Sequence, residues 1–135
     1  MRNSVIEAKQ WIYNELKNGG VGSIITGDLY KDFRPAGSAK EDIVVNAITL
    51  NNTFMQTGAF NVNCYVPYLK VKINAIDQNV PNEIRLKAVS DKVKPILERK
   101  FTDKYNVDIE FEQTIMDGND CYINFRLKLN AFNNN

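Results

Sequence analysis

Histidine is absent from this 135-residue chain. Its absence excludes a Ser-His-Asp triad, a Cys-His dyad, a His-ligated metal site and a histidine pH switch. Cysteine is scarce: Cys64 and Cys121 are the two present. Each falls on the apolar side of an alternating segment, and they are not in C-x-x-C spacing. Both are therefore expected as buried free thiols rather than as a disulfide or an activated nucleophile. Excess charge of one sign is also lacking. Seventeen basic against sixteen acidic side chains leave a net charge of +1, which argues against binding nucleic acid mainly by counterion release. No apolar run approaches the roughly 20 residues of a membrane span. Met1 to Lys17 carries no apolar h-region, so it does not read as a signal peptide, and a cytoplasm is the expected compartment. There is no G-x-S-x-G. Gly19-Gly20-Val21-Gly22 precedes an extended segment rather than a helix, so it lacks the context of a phosphate loop.

The composition that remains is 44% apolar and 24% charged, ordinary for a globular protein. One domain over residues 1–131 is expected, with a frayed tail at 132–135. Ser4 to Asn18 reads as a helix. Ser4 and Glu7 form a capping box, Val5, Ala8, Ile12 and Leu16 recur at helical spacing, and Gly19-Gly20 ends it. Ser23 to Arg34 reads as extended with a bulge or bend at Gly27, and Pro35-Ala36-Gly37-Ser38 breaks it. Asp42 to Leu50 is a strand apolar on both faces, as if covered on two sides. Ala59 to Val66 alternates, and Pro67 ends it or marks an edge. Tyr68 to Ile73 also alternates, either continuing that strand or forming an ordered connection. Pro81-Asn82 opens a second helix whose stripe is Leu86, Val89, Val93, Ile96, Leu97 and Phe101, with a kink or break expected at Pro95.

Val107 to Ile115 and Cys121 to Ala131 read as a hairpin about Asp117-Gly118-Asn119. Both strands carry apolar residues at odd numbers, so paired numbers must sum to an even value. A three-residue loop satisfies this by pairing Met116 with Asp120, Glu110 with Arg126 and Asp108 with Lys128. The expected fold is α+β: two helices on one face of a mostly antiparallel sheet of about five strands.

Chemistry-bearing groups are sparse. Asp108, Glu110 and Glu112 share one strand face, which suits a solvated face paired with Arg126 and Lys128 better than a cation site or an acid–base pair. The basic residues of the second helix, Arg85 to Lys100, are spread around its polar arc without interleaved aromatics, so they read as a wet surface. Asp117-Gly118-Asn119-Asp120 lacks the spacing of a calcium loop. Trp11 reads as packing. No catalytic residue, metal ligand or cofactor is expected. In the polar loop Asn51 to Gly58, Phe54 and Met55 either fold back onto the core or mark a partner contact.

The chain resembles the small tail-completion, or tail-terminator, proteins of long-tailed bacteriophages and prophages. The resemblance runs through most of the chain. It includes Trp11-Ile12-Tyr13-Asn14-Glu15-Leu16 in the first helix, Gly27-Asp28-Leu29-Tyr30-Lys31-Asp32-Phe33-Arg34-Pro35, and a charged loop into Glu41-Asp42-Ile43-Val44-Val45. The Gly58 to Pro67 strand, the long second helix and the final hairpin follow. Tyr68 to Pro81 is longer than that pattern has, and Pro95 interrupts the helix; a related neck component, such as a head–tail joining or stopper protein, fits those departures. The resemblance implies a structural protein without turnover, found in the virion and in the host cytoplasm during assembly. It implies a ring, commonly a hexamer, that caps the tail tube and joins it to the head. The partners are then the tail-tube and connector proteins, with no direct nucleic-acid readout and no membrane. Contacts are expected from loops around Lys31, Arg34, Glu41, Phe54 and Met55. The eighteen asparagines would suit adaptable hydrogen bonding at such contacts, or reflect an AT-rich genome. Competing classes are a ligand- or peptide-binding module with a groove between helix and sheet, and an enzyme using carboxylates, lysine or tyrosine.

Overall fold

The structure, a computed structural model, describes residues 2–132. The first helix, α1 (Val5–Asn18), begins at the capping box: Ser4 Oγ accepts from the Glu7 N–H, and Glu7 returns the bond to the Ser4 N–H. It buries Ala8, Ile12 and Leu16. Gly20 takes the left-handed conformation at φ +77° that lets the chain turn away. A 3₁₀ turn at Val21–Ser23 follows, so only three residues of the expected extended segment form a strand, β1 (Leu29–Lys31). Gly27 lies ahead of it, its N–H donating to Glu41 O at 2.8 Å. A Cβ there would sit 1.8 Å from Asp42 Oδ1, so this approach requires glycine.

Four further strands carry the middle of the chain: β2 (Asp42–Leu50), β3 (Gln56–Tyr65), and a separate hairpin of β4 (Leu69–Ile73) and β5 (Ile76–Val80). The second helix, α2 (Glu83–Leu97), starts on Asn82, whose side chain accepts from the Arg85 N–H. It runs past Pro95 to Leu97, where Glu98 is extended and Arg99 turns at φ +50°. That turn lays β6 (Lys100–Phe101) beside β7 (Tyr105–Asp117), and β8 (Asp120–Ala131) closes the chain. Phe101, expected on the helical stripe, is instead 71% exposed on β6.

Among the described residues the fold is α+β, with two helices, a mostly antiparallel six-stranded sheet and a two-stranded sheet. The main sheet runs β1-β2-β3-β8-β7-β6, with β1 parallel to β2. Six strands replace the expected five because β6 forms after the early helix end. Both helices pack on the face carrying Ile43, Val45, Phe60, Val62, Phe125, Leu127 and Leu129, and all of these side chains are buried in one cluster. Burial of each contributes roughly 1.5–3 kcal/mol. Both faces of β2 are buried at its start: Val44, on the helix-free face, is only 3% exposed and lines a hollow with Phe33, Arg34 and Pro35. Phe132, expected in the frayed tail, donates its N–H to Lys104 O at 2.9 Å. Residues 133–135 lie outside the described residues.

The last hairpin corrects the expected register. Asp108 does pair with Lys128, but the strands slip by one residue between Ile109 and Phe111. Phe111, not Glu110, faces Arg126, and the turn is the two residues Gly118-Asn119 between paired Asp117 and Asp120. Gly118 supplies the positive φ, +59°, that a two-residue hairpin turn needs. Glu110 is the bulged residue. Past it, every side chain of β7 changes face. Phe111 and Ile115, expected inward, share the helix-free face with Arg126 and Tyr122, while Glu112, Thr114 and Met116 turn toward the helices. Asp108, Glu110 and Glu112 therefore do not share one face.

Candidate assembly surfaces

The helix-free face of the sheet is held by amides. Asn61 on β3 donates to Asn46 Oδ1 on β2 at 3.0 Å and accepts from Asn124 and from Arg126 Nε on β8, each at 3.0 Å. Asn124 also donates to Asn63 Oδ1 at 2.7 Å. These residues alternate along neighbouring strands, so register stacks them into a ladder across the sheet. Asn63 and Asn124 are 8% and 4% exposed, and burial at that level requires paired amides. Part of the asparagine excess is thus internal bonding rather than free surface.

At the end of this face stands Arg34. Its guanidinium donates to Asp42 Oδ2 at 3.2 Å and Asp120 Oδ1 at 2.8 Å, and lies 4.0 Å from the centroid of the Tyr65 ring. Ser38 Oγ donates to the same Asp42 oxygen at 2.6 Å. The loop from Pro35 to Lys40 winds around this group, with Lys40 O and Ser38 O also accepting from Arg34. Tyr65 meets Tyr122 in a tilted ring contact at 4.5 Å, and burial raises its hydroxyl pKa. A second ion pair lies behind it. Arg85 makes two bonds to the Glu41 carboxylate, at 2.7 and 2.8 Å, and donates to Ile24 O. These bonds hold the Glu41 carboxyl below its ordinary value, against the opposing effect of burial.

The five residues expected at an interface do not form one patch. Arg34 and Glu41 spend their charge inside the subunit: the Arg34 side chain is 14% exposed, and Glu41 is buried. Lys31 lies along α1, donating to Gln10 Oε1 and resting over the Tyr13 ring. Phe54 and Met55 are exposed, at 81% and 52%. They sit before β3, at the opposite end of that strand from Tyr65 and Arg34. Their loop is anchored by Gln56, a fully buried amide that accepts from the Asn3 N–H and donates to Asn3 O and Asn51 O. The structure adds Phe33, 83% exposed beside the Lys9–Asp32 ion pair. Its signal in the sequence was an aromatic residue inside a charged Pro/Gly segment.

The β4–β5 hairpin gathers three exposed aliphatic side chains, Leu69, Ile73 and Ile76. Its register places Leu69, Val71, Ile73, Ile76 and Val80 on one face, and Lys70, Lys72, Asp77 and Asn79 on the other. The polar face lines a cleft of about 370 Å3 with Arg34, Tyr68 and Asp120. The apolar face points away, with Ile76 62% exposed.

A groove of about 510 Å3 lies between α2 and the turned-over end of β7, a size that suits a small ligand. Leu86, Met116 and Ile123 line it, and the pairs Lys87–Asp91 and Lys94–Glu112 rim it at 2.6 and 2.8 Å. The bond to Glu112 raises the Lys94 pKa, so that amine stays protonated. Trp11 lies elsewhere and packs, stacking on Tyr105 at 4.8 Å. Both cysteines are buried free thiols, their pKa values raised by burial. Among the described residues no group of three His, Cys, Asp or Glu side chains is placed to hold a metal ion, and no helix is long and apolar enough to cross a membrane.

No protein-family model matches this chain, and no curated protein matches it significantly.

Proposed function

We propose that this chain is a non-catalytic structural subunit of a phage or prophage tail, one that forms a ring, caps the tail tube and joins it to the head. The observation that carries this reading is where its apolar side chains are exposed. Ile73 and Ile76 on the projecting hairpin, Phe33 in the loop after β1, and Phe54 and Met55 in the loop before β3 stand outside the core. Apolar side chains on projecting segments suit contacts with other protein copies. The loop before β3 is fastened by the buried Gln56 amide, and Phe33 leads directly into Arg34, whose guanidinium is held by Asp42 and Asp120. The order of elements adds the resemblance to tail-terminator proteins, which supplies the hexameric ring and the tube and connector partners. Its place of action is then the virion, and the host cytoplasm during assembly.

The test is co-assembly. Purified chain is mixed with a tail-tube protein from the same genome, and the products are imaged by electron microscopy alongside sedimentation of the chain alone. The reading expects annular oligomers and tubes whose growth stops at a capped end. A chain that stays monomeric at high concentration and leaves tube growth unchanged overturns it. The groove between α2 and β7 favours the second reading, a ligand- or peptide-binding module. Under that reading a small-molecule or peptide screen would perturb NMR resonances of Leu86, Ser90 and Met116 while the chain stays monomeric.

A further inference from the structure

We infer that β4 of one copy adds to the open edge of β7 in a second copy, so that each subunit's hairpin extends its neighbour's sheet. This rests on the self-association proposed above and names the surfaces that carry it.

Among the described residues, β4 and β5 pair only with each other. A two-stranded hairpin is marginally stable in water without a covered face, yet this one exposes Leu69, Ile73 and Ile76 on one side, with Val71 and Val80 half-buried between them. It presents an unpaired edge as well as an uncovered face. The complementary feature lies on β7. At its start the outer edge is closed by β6, and Asp108 Oδ1 accepts the N–H groups of Ile109 and Arg99. From Phe111 to Met116, β7 has β8 on one side and no strand on the other. An edge of that kind is a template for an added strand.

The two edges match in charge and in apolar pattern. β4 reads Leu69-Lys70-Val71-Lys72-Ile73, and β7 from its bulge reads Glu110-Phe111-Glu112-Gln113-Thr114-Ile115. Laid side by side with Val71 opposite Gln113, in either direction, Leu69 and Ile73 fall beside Phe111 and Ile115 on the helix-free face. Lys70 and Lys72 fall beside Glu112 and Thr114 on the other, with Glu110 within reach, so Glu112 would be shared with its own Lys94, 2.8 Å away. Phe111, 43% exposed, would gain cover from the hairpin's aliphatic face. The outer edge of β5 carries Asp77 and would bring an acid to Glu110 and Glu112, so β4 is the strand that fits. The donating and accepting surfaces are different parts of the molecule, so the contact is heterologous and can repeat around a closed ring.

The test uses cysteine pairing across the proposed ladder. Val71→Cys and Gln113→Cys are made in separate full-length chains and mixed under mild oxidation. The native Cys64 and Cys121 are buried and do not compete. The expected result is an interchain disulfide between the two variants, absent when Gln113→Cys is replaced by Lys17→Cys on the far end of α1. A second measurement does not depend on cysteine. Lys70→Glu with Lys72→Glu should weaken self-association about tenfold at low salt, with an unchanged far-ultraviolet dichroism spectrum. Mixing this variant with Glu110→Lys, Glu112→Lys chains should restore assembly. If wild-type chain forms rings that cap tubes but shows neither the specific disulfide nor the charge-swap rescue, the strand addition is wrong and the tail reading survives. If wild-type chain is monomeric and the disulfide is absent, both are wrong.

Discussion

Arg34 shows how far a side chain's role departs from its local context. It lies in a charged, Pro- and Gly-containing segment that reads as surface, but its carboxylate partners come from Asp42 and from Asp120, 86 residues away. Asp42 is nearly fully buried, so removing the guanidinium leaves a buried carboxylate with the Ser38 hydroxyl and the Asp28 N–H. Arg34→Ala should cost about 3–5 kcal/mol in urea unfolding. Arg34→Lys should recover little, because an ammonium cannot bridge two carboxylates and lie flat on Tyr65. A loss under about 1 kcal/mol would show that the cluster does not hold the loop. Glu41 gives a pH signature. Its folded pKa lies below the ordinary 4.5, so the carboxylate contributes stability that is complete above that value and is lost as pH falls through the folded one. The stability gap between wild type and Glu41→Gln should therefore be widest near neutral pH and should close in acid; a gap independent of pH would contradict the ion pair with Arg85.

At the scale of elements, one inserted residue decides what a strand shows to each side. The charge pairing of Asp108 with Lys128 was legible in the sequence and is present. The reversal past Glu110 was not, because Phe111 and Ile115 keep the odd-number apolar pattern and a bulge leaves no obligatory residue type. The slip is what turns Glu112 toward Lys94 and opens the groove beside α2. The β4–β5 hairpin carries its own strain. Its two-residue turn, Asn74-Ala75, has φ of +51° and +63°, and alanine pays for that conformation where asparagine and glycine do so less. Ala75→Gly should relieve about 1 kcal/mol. Hydrogen exchange at the amides of β4 and β5 should slow accordingly, while exchange in β3 and β8 is unchanged. Equal exchange in the hairpin of both proteins would mean that the turn is not limiting.

For the whole molecule, a net charge of +1 leaves little long-range repulsion between copies, so local patterns of charge govern their approach. If Lys70 and Lys72 meet Glu110 and Glu112 across copies, self-association should weaken several-fold as ionic strength rises from about 0.05 to about 0.5 M, where the Debye length falls below about 5 Å. The apolar face of the hairpin should retain a residual association. Sedimentation at graded salt measures this, and association that strengthens throughout would place the burden on apolar contact alone.

Local physics left its features readable in the sequence: the capped first helix, the β-branched β2 segment apolar on both faces, the two-residue periodicity of β3 and β8, the buried thiols, and the exclusion of every chemistry that needs histidine. The α+β class followed, since two apolar stripes and several alternating segments must cover one another. Tertiary structure alone decided the rest. Arg34 and Glu41 became internal struts because distant residues met them, the asparagines became a ladder because strand register aligned them, and Leu69 to Val80 became a hairpin of its own because its two strands pair with each other rather than with the main sheet. These outcomes depend on contacts between residues far apart in the chain, which neither composition nor spacing encodes.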